Sequence, residues 1–146
     1  MKVWRASDHT DLSGQGGMVS AARWHQRGTP VVYCADHPAT ALLEKLVHVD
    51  IEDMPRGYTL LTVEVPETAP HRINASDLPD GWMSDIQITQ AIGTNILSRA
   101  EHLLVWVPSV LVPYAWNALL NPRHPEASGC LITDIISNLF DPRLIR

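Results

Sequence analysis

The stretch from Val31 to Val49, VVYCADHPATALLEKLVHV, constrains the fold more than any other part of the sequence. It opens with an apolar run rich in strand-forming side chains, and this run ends at Asp36. Asp36 or His37 can cap a helix, and Pro38 suits a first helical turn because the N–H that proline lacks would have no partner there. The stretch therefore predicts a buried strand, a tight turn and an amphipathic helix.

The apolar side chains of this helix share one arc at a spacing of about 100° per residue. The residues on the arc are Ala39, Leu42, Leu43, Leu46, Val47 and Val49. Glu44 falls outside the arc, so a carboxylate is expected at the edge of the core, near Tyr33 of the strand. The simpler alternative is a solvent-facing Glu44 that pairs with His48, one turn further on.

The composition indicates one globular domain over residues 1–146, with 45% hydrophobic and 18% charged residues. A net charge of −5 and the lack of any Lys/Arg run argue against direct nucleic-acid binding. No run reaches the roughly 18 apolar residues of a membrane helix. Cys34 and Cys130 form no CxxC pair, so a reduced, cytoplasmic setting is expected.

Periodicity assigns most of the remaining chain. Strands are predicted at Lys2–Arg5, Tyr58–Val65, His102–Val107 and Val110–Val112. A helix is predicted at Ile86–Ala100 with Ser84 or Asp85 as its cap, and loops or turns at Asp8–Gly17, Ile51–Gly57, Pro66–Trp82 and Asn117–Pro125. Gly93 inside the helix costs about 1 kcal/mol relative to Ala, which suggests a role in close packing. Leu131–Phe140 fits a helix well, but its β-branched residues also permit a strand.

Short motifs for metal or nucleophilic chemistry are absent. The seven histidines are scattered, and neither HExxH nor GxSxG occurs, so no metal site is predicted. The glycines of Gly14–Gly17 would let a phosphate approach the backbone closely. This pattern is not the GxGxxG of dinucleotide-binding folds, and a plain flexible loop is the alternative.

Arginine, aromatic and acidic residues in combination suit a dinucleotide. Arg5 and Arg23 could hold a pyrophosphate through bidentate, charge-assisted hydrogen bonds. Tyr33 could stack on a planar ring, and Glu44 could stabilise a ribosyl cation as a glycosidic bond breaks. Taken singly, the tryptophans and Tyr33 are more often core residues, and an arginine beside a tryptophan is usually a surface residue.

The order of motifs along nearly the whole chain resembles the RES domain, the toxin half of RES–Xre toxin–antitoxin modules. The motifs are VWRAS, ARWHQRGTPVVYCA, ATALLEKLVH, LPDGW, TQAIG, LLVWVPSVLVP, WNALLNPRHP and FDPRL. The resemblance implies an α/β (α+β) fold, a mixed, split β-sheet with flanking helices similar to ADP-ribosyltransferase toxins. It also favours a strand over a helix for Leu131–Phe140.

The resemblance also implies the site residues. Arg23, Glu44 and Ser109 match the name-giving Arg, Glu and Ser and are expected to be catalytic. The positions expected to bind NAD are Arg5, Trp24, Tyr33 and Asn121. The sequence departs from the family pattern at Ala21 and Ala22 (a Gly pair), His25 (Asn), Ile96 (Trp), Ala115 (Glu) and Ala118 (Tyr). These departures leave the trio intact and bear on loop geometry and substrate preference.

The activity that the resemblance implies is cleavage of the nicotinamide–ribose bond of NAD, with water or inorganic phosphate as acceptor, which would deplete NAD and arrest growth. NAD would be the substrate, and no cofactor or metal is expected because the leaving group is neutral nicotinamide. The implied partner is an Xre-type helix-turn-helix antitoxin in a multimeric complex. Two alternatives are mono-ADP-ribosylation of a protein target and a non-catalytic domain that only binds the antitoxin.

Overall fold

A seven-stranded β-sheet forms the centre of the protein. The computed structural model describes residues 1–49, 58–137 and 140–145. Its strands are β1 (Lys2–Ser7), β2 (Val32–Ala35), β3 (Thr59–Glu64), β4 (His71–Arg72), β5 (Leu104–Pro108), β6 (Trp116–Leu120) and β7 (Leu131–Ile136). Their order in the sheet is β4-β5-β6-β2-β1-β3-β7. Strands β4 and β5 run parallel and the other described pairs run antiparallel, so the sheet is mixed.

The sheet is split between β1 and β2. These two strands are in register only at Trp4 and Ala35, whereas β1 pairs with β3 along its whole length. Strand β2 pairs in the same way with β6 over all four of its residues. The predicted mixed, split sheet is confirmed, and the split separates a β3–β7 half from a β5–β6 half.

Within the described residues, three α-helices flank the sheet: α1 (Gln15–Val19), α2 (Pro38–Leu46) and α3 (Ile86–Arg99). Helix α2 begins as predicted, because the His37 side chain accepts a 3.1 Å hydrogen bond from the Ala39 N–H and Pro38 occupies the first turn. Helix α3 begins at the predicted cap Asp85, which accepts from the Gln87 N–H at 3.0 Å. No helix among the described residues is long and apolar enough to cross a membrane.

Alternate residues of the central strands supply two core clusters on opposite faces of the sheet. Leu104 and Trp106 of β5 belong to one cluster, and Val105 and Val107 belong to the other. Helix α3 covers the second cluster with Leu97. Because β5 is buried on both faces, its sequence is an unbroken apolar run and not an alternating one.

The predicted apolar arc of α2 is wrong in part. Leu43 and Val47 are 45% and 56% exposed, and the helix buries Thr40 and Ala41 instead. Helix α2 presents its short side chains to the sheet, which allows a close approach. Helix α1 also interrupts the predicted loop Asp8–Gly17.

The predicted strand Val110–Val112 is wrong because the Ser109 side chain folds this segment into a turn. The Ser109 Oγ accepts from the Leu111 and Val112 N–H groups at 3.1 and 3.2 Å. The predicted turn after it is also wrong at its start, since residues 117–120 belong to β6. The predicted loop Pro66–Trp82 contains β4 and a short 3₁₀ turn at Ala75–Asp77.

The ambiguous segment near the carboxyl end is a strand over Leu131–Ile136, as the family resemblance favoured. It pairs with β3 at the edge of the sheet. Residues 138–139 of that segment and the predicted connection Ile51–Gly57 lie outside the described residues.

Candidate active site

A cavity of about 260 Å³ lies against both halves of the split sheet. Arg5 of β1 and Tyr33 of β2 line it from the sheet. The rest of the wall comes from Val31 and from the segment between β1 and β2, through His9, Asp11, Ser13, Gly14, Gln15, Gly16, Gly17, Ser20, Ala21, Ala22 and His25. Two residues predicted to bind NAD therefore share one hollow with the glycine-rich loop.

Arg5 brings an incompletely satisfied positive charge to this cavity. Its Nη2 donates to the Ser7 Oγ at 3.3 Å, while its buried Nε has no hydrogen-bond partner among the described residues. Hydrogen bonds from Ser13, and then the Arg5 charge, lower the pKa of the Asp11 carboxyl. A guanidinium group at the wall of the cavity suits an anionic ligand.

Glu44 and Ser109 of the predicted trio are in direct contact. The Ser109 Oγ donates to the Glu44 Oε1 at 2.7 Å, and the Asn117 Nδ2 donates to the same oxygen at 2.8 Å. Ser109 is only 8% exposed. The Glu44 Oε2 makes no hydrogen bond to the part of the chain that the structure describes. The carboxylate is thus fixed through one oxygen, and the other oxygen is available to a ligand.

Strand register relates this carboxylate to Tyr33. Tyr33 lies opposite Leu119 and Ala35 opposite Asn117 in the β2–β6 pair. Tyr33 and Asn117 are therefore diagonal neighbours on one face of the sheet, at a typical Cα separation of about 7–8 Å. Glu44 does not itself line the 260 Å³ cavity. Glu44 is hydrogen-bonded to Asn117, the diagonal neighbour of Tyr33, and Tyr33 lines the cavity.

The Tyr33 hydroxyl is held by two hydrogen bonds. It accepts from the Trp24 N–H at 3.1 Å and lies 2.7 Å from the His25 Nδ1. Burial raises the pKa of Tyr33, although the Trp24 bond and the Arg23 charge oppose this rise. The phenol therefore keeps its proton at neutral pH.

Arg23, the first member of the trio, acts on Tyr33 and is not hydrogen-bonded to the Glu44–Ser109 pair. Its Nη1 donates to the Met83 carbonyl at 3.3 Å, and its charge acts on the Tyr33 phenol. Arg23 forms no hydrogen bond with Glu44 or Ser109 in this structure. The trio is thus present as one bonded pair plus an arginine on the segment that precedes β2.

The side chain of Trp24, which is predicted to bind NAD, lies in the core of the protein. This side chain is 1% exposed and packs against Trp82, with ring centroids 6.3 Å apart. A ring buried to this degree has no face open to a ligand. Trp24 is therefore a core residue, and its contribution to the cavity is the backbone N–H that holds Tyr33.

Asn121 also has a structural position. It is 1% exposed, its Nδ2 donates to the Leu97 carbonyl at 2.8 Å, and its Oδ1 accepts from the Arg123 N–H at 3.0 Å. Both polar atoms of the amide are used by the chain itself. Asn121 therefore ties the end of β6 to the end of α3 in this structure, and its contact with NAD stays a prediction.

Two residues of this region, Asn117 and His25, are missing from the sequence-based site. Asn117 lies in the WNALL run, where the sequence pattern predicts a turn. A prediction of a strand there would have placed the Asn117 side chain beside helix α2. His25 stands out in the sequence only as a departure from the family pattern. Within the described ranges, no group of three or more His, Cys, Asp or Glu side chains is placed to hold a metal ion.

Comparison with known proteins identifies the family. The sequence profile of the RES domain matches residues 2–141. The chain belongs to the RES domain family. Relatives within this family include "Toxin Res" of Pseudomonas putida, which is 42% identical over 90% of this chain and 92% of its own length. The "Prs ADP-ribosylating toxin" of Sphingobium sp. is 33% identical over 97% of this chain and 91% of its own length.

A solved structure shares the fold of this RES domain. It is a chain from the crystal structure of the M. tuberculosis MbcT–MbcA toxin–antitoxin complex, with a TM-score of 0.76 over 99% of this chain and 86% of that chain. The sequence identity is 19%. The likeness therefore bears on the arrangement of the split sheet and its helices.

Ser109→Ala is expected to destabilise this RES domain by about 1–3 kcal/mol, because the variant leaves two turn N–H groups without their partner and removes one of the two donors to the Glu44 Oε1. Urea unfolding measures the change. Ser98→Ala is the matched control, since the Ser98 hydroxyl donates to the Asn95 carbonyl at an exposed position of α3. Equal stability of the two variants would show that the Ser109 contacts contribute little.

Proposed function

We propose that this RES domain is the toxin of a toxin–antitoxin pair and that it destroys NAD by cleaving the nicotinamide–ribose bond. The observation that carries the proposal is the Glu44 carboxylate, which Ser109 and Asn117 hold through one oxygen at 2.7 and 2.8 Å. A fixed anion with a second oxygen available suits a reaction in which positive charge develops on a sugar ring.

The proposed reaction breaks the bond between the ribose C1′ and the nicotinamide nitrogen. Its electron pair stays with that nitrogen, so a cationic pyridinium leaves as neutral nicotinamide while the ribose becomes cationic. Glu44 stabilises this cation, and Ser109 keeps the carboxylate oriented. Water or phosphate adds to C1′, and the proton released by water goes to solvent. Because the leaving group is neutral, the reaction needs no cofactor or metal, and NAD is its substrate.

Arg5 and Arg23 bind the pyrophosphate in this proposal, and Tyr33 contacts the nicotinamide end. Support comes from the cavity that Arg5 and Tyr33 share. The charge of Arg23 reaches the same Tyr33 hydroxyl. The site therefore offers positive charge for the phosphates and negative charge for the ribosyl cation.

The acceptor is tested by incubating the purified domain with NAD in buffers with and without inorganic phosphate. Free ADP-ribose in both buffers indicates hydrolysis, and a phosphorylated ADP-ribose that forms only with phosphate indicates phosphorolysis. No nicotinamide release in either buffer, from folded protein freed of any partner, would contradict the proposed activity.

Protein ADP-ribosylation is the second candidate, favoured by the name of the Sphingobium relative, an ADP-ribosylating toxin. It predicts that nicotinamide appears only when a target protein is added and that label from adenine-labelled NAD stays on that protein. A non-catalytic domain predicts no turnover under any of these conditions.

The proposed partner is an Xre-type helix-turn-helix antitoxin that covers the cleft in a multimeric complex in the cytoplasm. The M. tuberculosis chain that shares this fold was solved in a toxin–antitoxin complex, which supports a partner of this kind. Co-expression with the antitoxin should suppress NAD loss, and light scattering of the purified complex gives its stoichiometry. Neither direct nucleic-acid nor membrane binding is part of the proposal.

Arg5→Gln should raise the KM for NAD by about tenfold or more, because the variant loses a charge-assisted contact to phosphate. Nicotinamide riboside, which has the same scissile bond but no phosphate, gives the matched comparison. Its kcat/KM should change much less in the variant, as measured by nicotinamide release. An equal loss for both substrates would mean that Arg5 does not act on the phosphates.

A further inference from the structure

A chain of hydrogen bonds at the cavity wall fixes the tautomer of His25. The His25 Nε2 lies 2.7 Å from the Ser20 carbonyl, and the Nδ1 lies 2.7 Å from the Tyr33 hydroxyl. A carbonyl oxygen can only accept, so Nε2 must carry a proton. In a neutral imidazole the other ring nitrogen is then an acceptor. Nδ1 therefore accepts the hydroxyl proton of Tyr33.

This tautomer decides what the Tyr33 oxygen offers to the cavity. The hydroxyl donates to His25 and accepts from the Trp24 N–H, which leaves one lone pair of the oxygen unused. Tyr33 and His25 both line the cavity, and this lone pair is the hydrogen-bonding position of the Tyr33 oxygen that the described chain leaves unused. While His25 is neutral, Tyr33 is an acceptor suited to an N–H donor such as a carboxamide NH₂.

Protonation of Nδ1 would reverse this arrangement. A protonated His25 donates from both nitrogens, so the Tyr33 oxygen then accepts from His25 and from Trp24. Its own proton has no acceptor left in the network and turns toward the cavity. We infer that His25 is a positioning residue that keeps the Tyr33 hydroxyl an acceptor toward the substrate while neutral, and that its protonation converts this hydroxyl into a donor. This rests on the proposed function, in which Tyr33 contacts the nicotinamide end of NAD.

The surroundings of His25 favour its neutral form. Burial lowers the pKa of His25, and the bond to the Ser20 carbonyl opposes this only in part. The charged or titratable groups that share the cavity are Arg5, His9 and Asp11, and Arg23 lies beside Tyr33. Helix α3 presents uncharged groups to this segment. The Gln90 Nε2 donates to the Ala22 carbonyl, and the Thr94 Oγ1 accepts from the Gln26 N–H.

The first test is the pH dependence of kcat/KM for NAD. Below the His25 pKa, the wild-type value should fall by about tenfold per pH unit. His25→Asn should lose this acid limb, because the amide oxygen can accept the Tyr33 proton at the place of Nδ1 and does not titrate. His9→Gln should keep the limb, which separates His25 from the other histidine at the cavity. An acid limb with an unchanged midpoint in His25→Asn would overturn the inference.

The second test needs no turnover. Nitrogen-15 NMR should find His25 neutral at pH 7 with the proton on Nε2, and Tyr33→Phe should shift the resonance of Nδ1 because that nitrogen loses its hydrogen-bond donor. A proton on Nδ1 in the wild-type chain or an unchanged Nδ1 resonance in the variant would refute the coupling. If the wild-type chain cleaves no NAD at any pH, the proposed function fails, and this measurement alone decides the His25–Tyr33 relation.

Folding has to be followed at each pH because the protonation of His25 also affects stability. The lowered pKa of His25 means that, at acidic pH, the folded chain binds fewer protons than the unfolded chain. Stability is therefore expected to decline as the pH falls below the ordinary histidine value of 6.5. Circular dichroism separates that decline from the change in substrate binding. In the inferred mechanism KM rises at pH values where the protein is still fully folded.

Discussion

Glu44→Gln is expected to reduce kcat for NAD cleavage by a factor of about 10² to 10³ without disturbing the fold. Glutamine has the shape of glutamate, and its side-chain carbonyl can accept from Ser109 and Asn117 as the Glu44 Oε1 does. The variant therefore removes the negative charge and keeps the contacts that orient the group. Because in the proposed reaction the charge acts on a ribosyl cation that exists only as the bond breaks, the loss should fall on kcat more than on KM.

Nicotinamide release at saturating NAD measures this effect, with circular dichroism and a urea titration to check folding. Glu101→Gln is the control, since it removes the same charge at an exposed position just after α3. That variant should keep wild-type activity. Full activity in folded Glu44→Gln would remove Glu44 from the reaction and leave the carboxylate as a structural partner of Ser109.

The parts of the fold that could be predicted from the sequence are those that local rules determine. The strand and helix of the Val31–Val49 stretch and the Asp85 cap of α3 depend on side chains within a few residues of one another. The prediction of a strand at Val110–Val112 is wrong because its apolar pattern does not indicate that Ser109 would accept hydrogen bonds from two backbone N–H groups. A side chain bonded to its own backbone here outweighs β propensity.

The candidate site depended on family resemblance because its residues meet only in three dimensions. Glu44 and Ser109 are 65 positions apart in sequence, and Glu44 and Asn117 are 73 positions apart. No spacing rule predicts such contacts. The resemblance in turn marks positions without reporting their exposure, and this is why Trp24 was assigned to the ligand although it is buried.

Helix α3 packs closely against the Trp24 backbone at Gly93, and substitution of Gly93 gives the second prediction with a large expected effect. Gly93→Ala is expected to lower the free energy of unfolding by about 2 kcal/mol. An added Cβ would overlap the Trp24 carbonyl oxygen and lie 2.8 Å from its carbonyl carbon, so α3 and the Trp24 segment would have to separate. Such a shift costs about 3 kcal/mol, and the gain of about 1 kcal/mol in helix propensity offsets only part of it. The predicted close-packing role of Gly93 is thus confirmed by the structure.

The same variant should also reduce activity, because the backbone that Gly93 contacts also holds Tyr33, which contacts the substrate in the proposed function. The Trp24 N–H donates to Tyr33, so moving Trp24 disturbs the hydroxyl that His25 orients. Gly16→Ala is the matched control: no atom lies within 4 Å of its added Cβ, although Gly16 also lines the cavity. Urea unfolding should find Gly16→Ala close to wild type and Gly93→Ala well below it. A Gly93→Ala protein of wild-type stability would mean that α3 is not packed against Trp24 as tightly as the contact implies.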